Sequence, residues 1–126
     1  MKVRILYVED NDANFYLVHY ILTQRGHEVL RACDAPSGLR MACEHKPDLI
    51  LLDIQLPGMD GLALLAELRR QPELKDVPIV ALTSYAMPGD REQALNAGCS
   101  GYIEKPLNPR TFADEIETFF RSKAAS

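Results

Sequence analysis

No run of Lys and Arg occurs in this chain: 14 basic residues are scattered among 18 acidic ones, for a formal net charge of −4. Without a clustered cationic stripe there is nothing to neutralise a row of phosphates, so direct nucleic-acid binding is not expected. Long apolar stretches are missing too. The longest, Leu49-Ile50-Leu51-Leu52, falls far short of the roughly 20 residues of a membrane-spanning helix. Met1-Lys2-Val3-Arg4 reads as the start of a strand and not of a signal peptide, so a cytoplasmic location without membrane insertion is expected. Cysteine is scarce: Cys33, Cys43 and Cys99 are odd in number and have no CxxC spacing, which excludes a disulfide framework and a zinc knot. All three read as reduced, mostly buried thiols. Low-complexity tracts are absent, so disorder is expected only in a tail over residues 123–126.

What is present suits one domain. A chain of 126 residues with 47% hydrophobic and 25% charged residues can bury a full core without staples. Apolar, β-branched segments recur at Val3–Val8, Asp48–Leu52, Val77–Leu82 and Gly101–Ile103. The second and third lack polar alternation, as strands buried on both faces should. Glu28–Ala32 carries charges of both signs and suits a sheet edge. Between them lie helical spacings: Asn14, Leu17, Val18, Ile21 and Leu22; Ala35, Leu39, Ala42 and Cys43; Leu64, Leu65 and Leu68. A helix from Pro88 to Ala97 has little apolar surface beyond Leu95, and a last helix follows Asn108-Pro109 with Phe112, Ile116, Phe119 and Phe120 on one stripe. Gly26, the Gly58–Gly61 stretch and Ala97-Gly98 mark turns and helix ends.

Five strands each followed by a helix imply right-handed crossovers and an α/β architecture. The expected form is a flavodoxin-like, doubly wound five-stranded parallel sheet, (βα)5, of strand order 2-1-3-4-5. In such sheets the ligand crevice lies beyond the carboxyl ends of the strands, at the switch point between the first and third. The residues at those ends are Glu9-Asp10, Asp53, Thr83-Ser84 and Lys105-Pro106. Neighbouring strands lie about 4.8 Å apart, which puts Asp10 and Asp53 within side-chain reach and Lys105 roughly 10 Å from Asp53 before its stem is counted.

Carboxylates gathered there repel by about 4 kcal/mol per pair at about 4 Å and an effective dielectric of about 20. Lys105 offsets part of this, and an oxygen-only donor set calls for a hard divalent ion, best met by magnesium, with manganese as a substitute. Such a site suits phosphoryl chemistry. Asp53, central between the acidic pair and the Thr83 and Lys105 donors, is the candidate nucleophile for an aspartyl phosphate. Taken singly, Asp10 or Asp53 reads more simply as a helix cap, and Thr83, Tyr102 or Lys105 as an ordinary strand-end residue. Only the set points to a site. His19, His27 and His45 lie outside it and read as surface or helix residues.

Val8-Glu9-Asp10-Asn11, the block Asp53-Ile54-Gln55-Leu56-Pro57-Gly58-Met59-Asp60-Gly61, Ala81-Leu82-Thr83-Ser84 and Lys105-Pro106 together resemble the receiver domains of two-component response regulators, over nearly the whole chain. The resemblance implies a receiver domain at 1–122. It implies a metal site of Glu9, Asp10, Asp53 and the Gln55 backbone carbonyl, with Asp53 as phosphoacceptor. Thr83, Ser84 and Lys105 would hold the phosphate, Tyr102 would move inward on activation, and Pro106 would follow a cis peptide. Gln55 and Tyr85 stand where the family tunes dephosphorylation, and the bulk of Tyr85 implies a long-lived phosphoryl state. The stretch Ala86-Met87-Pro88-Gly89-Asp90 with Asn96-Ala97-Gly98-Cys99 is similar to hybrid-kinase receivers and to DivK-like single-domain regulators.

The function implied is phosphorylation-dependent signalling: a phosphoacceptor, not an enzyme with its own substrate. A sensor histidine kinase or His phosphotransfer domain would be the donor, and a downstream protein would dock on the 88–97 helix, Tyr102 and the last helix. An excised domain of a larger regulator would read identically. A magnesium-dependent phosphohydrolase working through an aspartyl phosphate would need an acid/base carboxylate where Gln55 stands. A nucleotide- or flavin-binding module would need a glycine-rich first turn where Glu9-Asp10-Asn11-Asp12 stands. A receiver-fold docking module that works without phosphorylation is nearer in kind, but the complete residue set argues against it.

Overall fold

The structure is a computed structural model; it describes residues 2–54, 61–83 and 89–125, with side chains to residue 120. Five strands, β1 (Arg4–Val8), β2 (Glu28–Ala32), β3 (Leu49–Asp53), β4 (Ile79–Thr83) and β5 (Gly101–Glu104), alternate with five helices. These are α1 (Asp12–Gln24), α2 (Ala35–His45), α3 (Gly61–Arg70), α4 (Asp90–Ala97) and α5 (Phe112–Ala125). All pairings are parallel and the order is β2-β1-β3-β4-β5, as the sequence predicts.

Strand alternation sorts the core into two halves. Leu6, Val8, Ile50, Leu52, Ile79 and Ala81 face α2, α3 and α4, meeting Ala42, Leu64, Leu65, Leu68 and Ala94. Ile5, Tyr7, Leu49, Leu51, Val80 and Leu82 face α1 and α5, meeting Phe15, Val18, Leu22, Phe112 and Ile116. β3 and β4 are buried along their whole length, which explains why neither alternates in sequence. Helix starts follow local chemistry: Asn11 and Asp34 each accept a hydrogen bond from the backbone N–H three residues on, at 2.8 and 2.9 Å.

Several expectations are corrected. The central strands run one residue further, so Asp53 and Thr83 are the last residues of β3 and β4. α4 begins at Asp90 and not at position 88, because Gly89 is left-handed, with φ of 91°, and ends the helical geometry there. Its buried anchor is Ala94, while Leu95 is exposed. α5 continues to Ala125, through residues expected to form a tail; Lys and Ala are strong helix formers and extend a helix without needing burial. Cys33 is exposed and only Cys99 is fully buried. His27 is not a surface residue: it is buried at the amino-terminal pole of the sheet, where Glu117 and Val3 both bond its ring.

Candidate functional site

Register brings the site together. Val8 pairs with Leu52 and Asp53 with Leu82, so Glu9 and Asp53 leave adjacent strands at the same level. Thr83 pairs with Glu104, which puts Lys105 one step past the end of β5. The backbone ladders continue beyond the strands: Glu9 N–H donates to the Ala32 carbonyl at 2.9 Å, Ile54 N–H to Leu82 at 3.1 Å and Lys105 N–H to Thr83 at 2.7 Å. The polar cluster therefore stands on a rigid frame. After Asp53 the chain passes so close to Gly61 that a Cβ there would collide with the Ile54 backbone.

Lys105 is the hub of the described site. Its Nζ lies 3.1 Å from Glu9 Oε1 and 3.1 Å from Asp53 Oδ2, and only 12% of its side chain is exposed. Glu9, Asp53 and Thr83 are buried, while Asp10 is exposed. Burial alone would raise the Glu9 pKa, but hydrogen bonding with Asp53 and the charge of Lys105 outweigh it and hold the carboxyl below its ordinary range. Glu9 Oε1 also accepts from the Tyr7 hydroxyl at 3.0 Å, and Asn11 N–H donates to Oε2 at 3.4 Å. Burial first, then the charge of Glu9, pushes the Tyr7 phenol far above its ordinary pKa, so it stays a neutral donor.

The Lys105–Pro106 peptide is cis. Tyr102 is half-buried on β5, and its hydroxyl is buried without a hydrogen-bond partner among the described residues. Gln55, Ser84 and Tyr85 lie outside the described residues. Among those described, no three His, Cys, Asp or Glu side chains are already arranged as a metal cage; instead Glu9 and Asp53 close on Lys105. The donor chemistry still fits a hard cation: two buried carboxylates and one exposed carboxylate, all oxygen, meet at one crevice. Next to Lys105 a groove of about 380 Å³ opens between Tyr7, Asn14, Leu17, Pro106 and Leu107.

Tyr7 and Arg31 organise this site and were not visible as site residues in the sequence. Tyr7 reads as one more core residue of an apolar strand, and Arg31 as an edge charge. Period-two alternation was the available signal, since it puts both on the α1 face, opposite each other in register.

The family model for the response regulator receiver domain matches residues 5–117. The chain is 38% identical over 119 residues to the polar-differentiation response regulator DivK of Brucella anthropi, covering 94% of this chain and 97% of that protein. Among solved structures, the chemotaxis protein CheY4 of Vibrio cholerae superposes with a TM-score of 0.88 at 28% identity, over 94% of this chain and 99% of that one. The receiver domain of the sensor histidine kinase PA1611 of Pseudomonas aeruginosa, solved with a magnesium ion coordinated in its active-site cleft, superposes with a TM-score of 0.85 at 34% identity, over 94% of this chain and 98% of that one.

Proposed function

Because the chain belongs to the response regulator receiver domain family, we propose that Asp53 is its phosphoacceptor and that Glu9, Asp10, Asp53 and the Gln55 carbonyl hold the magnesium ion the reaction uses. The observation that carries this reading is the paired contact of Lys105 Nζ with Glu9 and Asp53, at 3.1 Å each, where four strands end. Phosphoryl transfer asks little covalent chemistry of a protein beyond positioning and charge. An Asp53 carboxylate oxygen attacks phosphorus, the N–P bond of a donor phosphohistidine breaks, and the imidazole leaves with a proton. Bound magnesium supplies positive charge to the transferring oxygens. Lys105 turns from the carboxylates to one phosphoryl oxygen, and the Thr83 hydroxyl and Ser84 donate to others. Each new contact is charge-assisted.

The donor is a sensor histidine kinase or a His phosphotransfer domain, entering by the groove beside Lys105. Output leaves through α4, Tyr102 and α5 to a downstream protein. α4 has one buried residue, Ala94, and no side-chain cap at its amino end, so little packing opposes its displacement. The orphaned Tyr102 hydroxyl gains a partner if the ring moves inward as Thr83 shifts. Gln55 and Tyr85 set the lifetime of the phosphoryl group. A cytoplasmic site of action accords with these partners, and no described helix is long and apolar enough to cross a membrane.

Intact-mass measurement after incubation with acetyl phosphate tests the assignment. The unaltered chain is expected to gain one phosphoryl group only with magnesium present, and Asp53→Ala is expected to gain none. An adduct that survives in Asp53→Ala would move the acceptor elsewhere; no adduct in either protein would favour docking without phosphorylation.

A further inference from the structure

We infer that Arg31, on the edge strand β2, is a positioning residue that holds the Glu9-Asp10 backbone in the shape the magnesium ion requires; the inference rests on the magnesium reading above. Arg31 pairs with Tyr7 in register, so its side chain rises on the α1 face one residue before the strand ends. Its guanidinium reaches over the acidic turn. Nε donates to the Glu9 carbonyl at 3.1 Å, Nη2 to the Asp10 carbonyl at 3.2 Å, and Nη2 pairs with Asp12 Oδ1 at 2.8 Å. Cζ also stacks over the Phe15 ring, 4.8 Å from its centroid. One planar fork thereby ties β2, the turn and the first helical turns of α1 together.

The choice of acceptors separates positioning from simple charge neutralisation. Arg31 spends its two turn contacts on main-chain oxygens and pairs only with Asp12, leaving the Glu9 and Asp10 carboxylates to other partners. Glu9 is fixed at its N–H by Ala32 and at its carboxylate by Tyr7 and Lys105; Arg31 fixes its carbonyl. Asp10 is exposed, and its own carbonyl is held by the same guanidinium. Magnesium demands near-ideal octahedral geometry and tolerates a loose turn poorly. A cation this close also repels a divalent ion, so orientation and field act in opposite directions.

That opposition supplies the test. Magnesium is titrated into the unaltered chain, Arg31→Gln and Arg31→Lys, followed by calorimetry and by tyrosine fluorescence, which five Tyr and no Trp make available. Amide exchange of residues 9–11 is measured in parallel on the metal-free proteins, with circular dichroism reporting the fold. Positioning predicts that both variants bind magnesium about tenfold more weakly, the usual effect of losing a partner behind a metal ligand. It also predicts faster exchange at residues 9–11 in both. Tighter binding by Arg31→Gln with unchanged binding by Arg31→Lys would overturn the inference in favour of charge alone, and unchanged binding in both would reduce Arg31 to a structural strap. Failure of the unaltered chain to bind magnesium would overturn the magnesium reading itself, and this inference with it.

Discussion

At the scale of single residues, the site depends on who satisfies each buried carboxylate oxygen. Glu9 Oε1 has two donors, Tyr7 and Lys105, so losing the phenol leaves the carboxylate weakened but not abandoned. Tyr7→Phe is therefore expected to cost about 1 kcal/mol at neutral pH, the net worth of a hydrogen bond whose acceptor keeps another partner. At high pH the sign reverses. The Tyr7 pKa is raised in the folded protein above its ordinary value of 10.0, so its contribution is intact below that pH and is lost as the unfolded phenol ionises above it. Urea denaturation between pH 7 and pH 11 should show Tyr7→Phe losing less stability than the unaltered chain on the alkaline side. Parallel pH curves for the two proteins would show that Tyr7 does not carry this dependence.

At the scale of elements, the sequence was legible where burial dictates residue type. Leu49–Asp53 and Ile79–Thr83 are covered on both faces and read as unbroken apolar runs. The strand-end set Glu9, Asp53, Thr83 and Lys105 followed from strand order and register alone. α4 was less legible, because its limits are set by backbone dihedrals and by a distant arginine. Arg69 donates from Nε to the Gly98 carbonyl at 2.7 Å, from Nη1 to the Leu74 and Val77 carbonyls at 3.0 and 2.8 Å, and from Nη2 to Ser100 Oγ at 3.1 Å. No periodicity announces such a long-range clamp, and Arg69 reads in sequence as one of two basic residues closing α3. The carboxyl end of α4 is thus fixed, while its amino end at Gly89 has no side-chain cap. Gly98→Ala tests the fixed end. φ there is 113°, and an added Cβ would lie 2.6 Å from Arg69 Cγ. The strain of a left-handed alanine is about 1–2 kcal/mol before the clash is counted, so a chemical-denaturation loss of at least about 1 kcal/mol is expected. An unchanged midpoint would mean that Arg69 does not hold this end rigidly.

Across the whole molecule, the two poles of the sheet divide the work. The carboxyl pole carries the acidic crevice, where unlike charges must stay free to rearrange around a phosphoryl group. The amino pole carries a closed ionic cluster. The His27 Nδ1 accepts from Val3 N–H at 3.3 Å, which leaves Nε2 to carry the proton toward Glu117 Oε2 at 2.9 Å, while Arg25 spans Glu117 at 3.0 Å and Asp114 at 2.8 Å. Neither His27 nor Glu117 announces this role in the sequence, since one stands at a turn and the other on a helix, with 90 positions between them. The cluster ties the turn before β2 to α5, the helix that also borders the switch face. Glu117→Ala would strand the buried His27 N–H and free Arg25, so a loss of about 2–4 kcal/mol is expected. It should appear as a lower urea midpoint with an unchanged denaturant slope. Because the cluster lies at the far end of the strands from Asp53, magnesium-dependent phosphoryl uptake by the folded Glu117→Ala protein is expected to match that of the unaltered chain. A large fall in uptake at full folding would instead mean that α5 couples the two poles, and that the fold does not keep its stabilising and reacting ends independent.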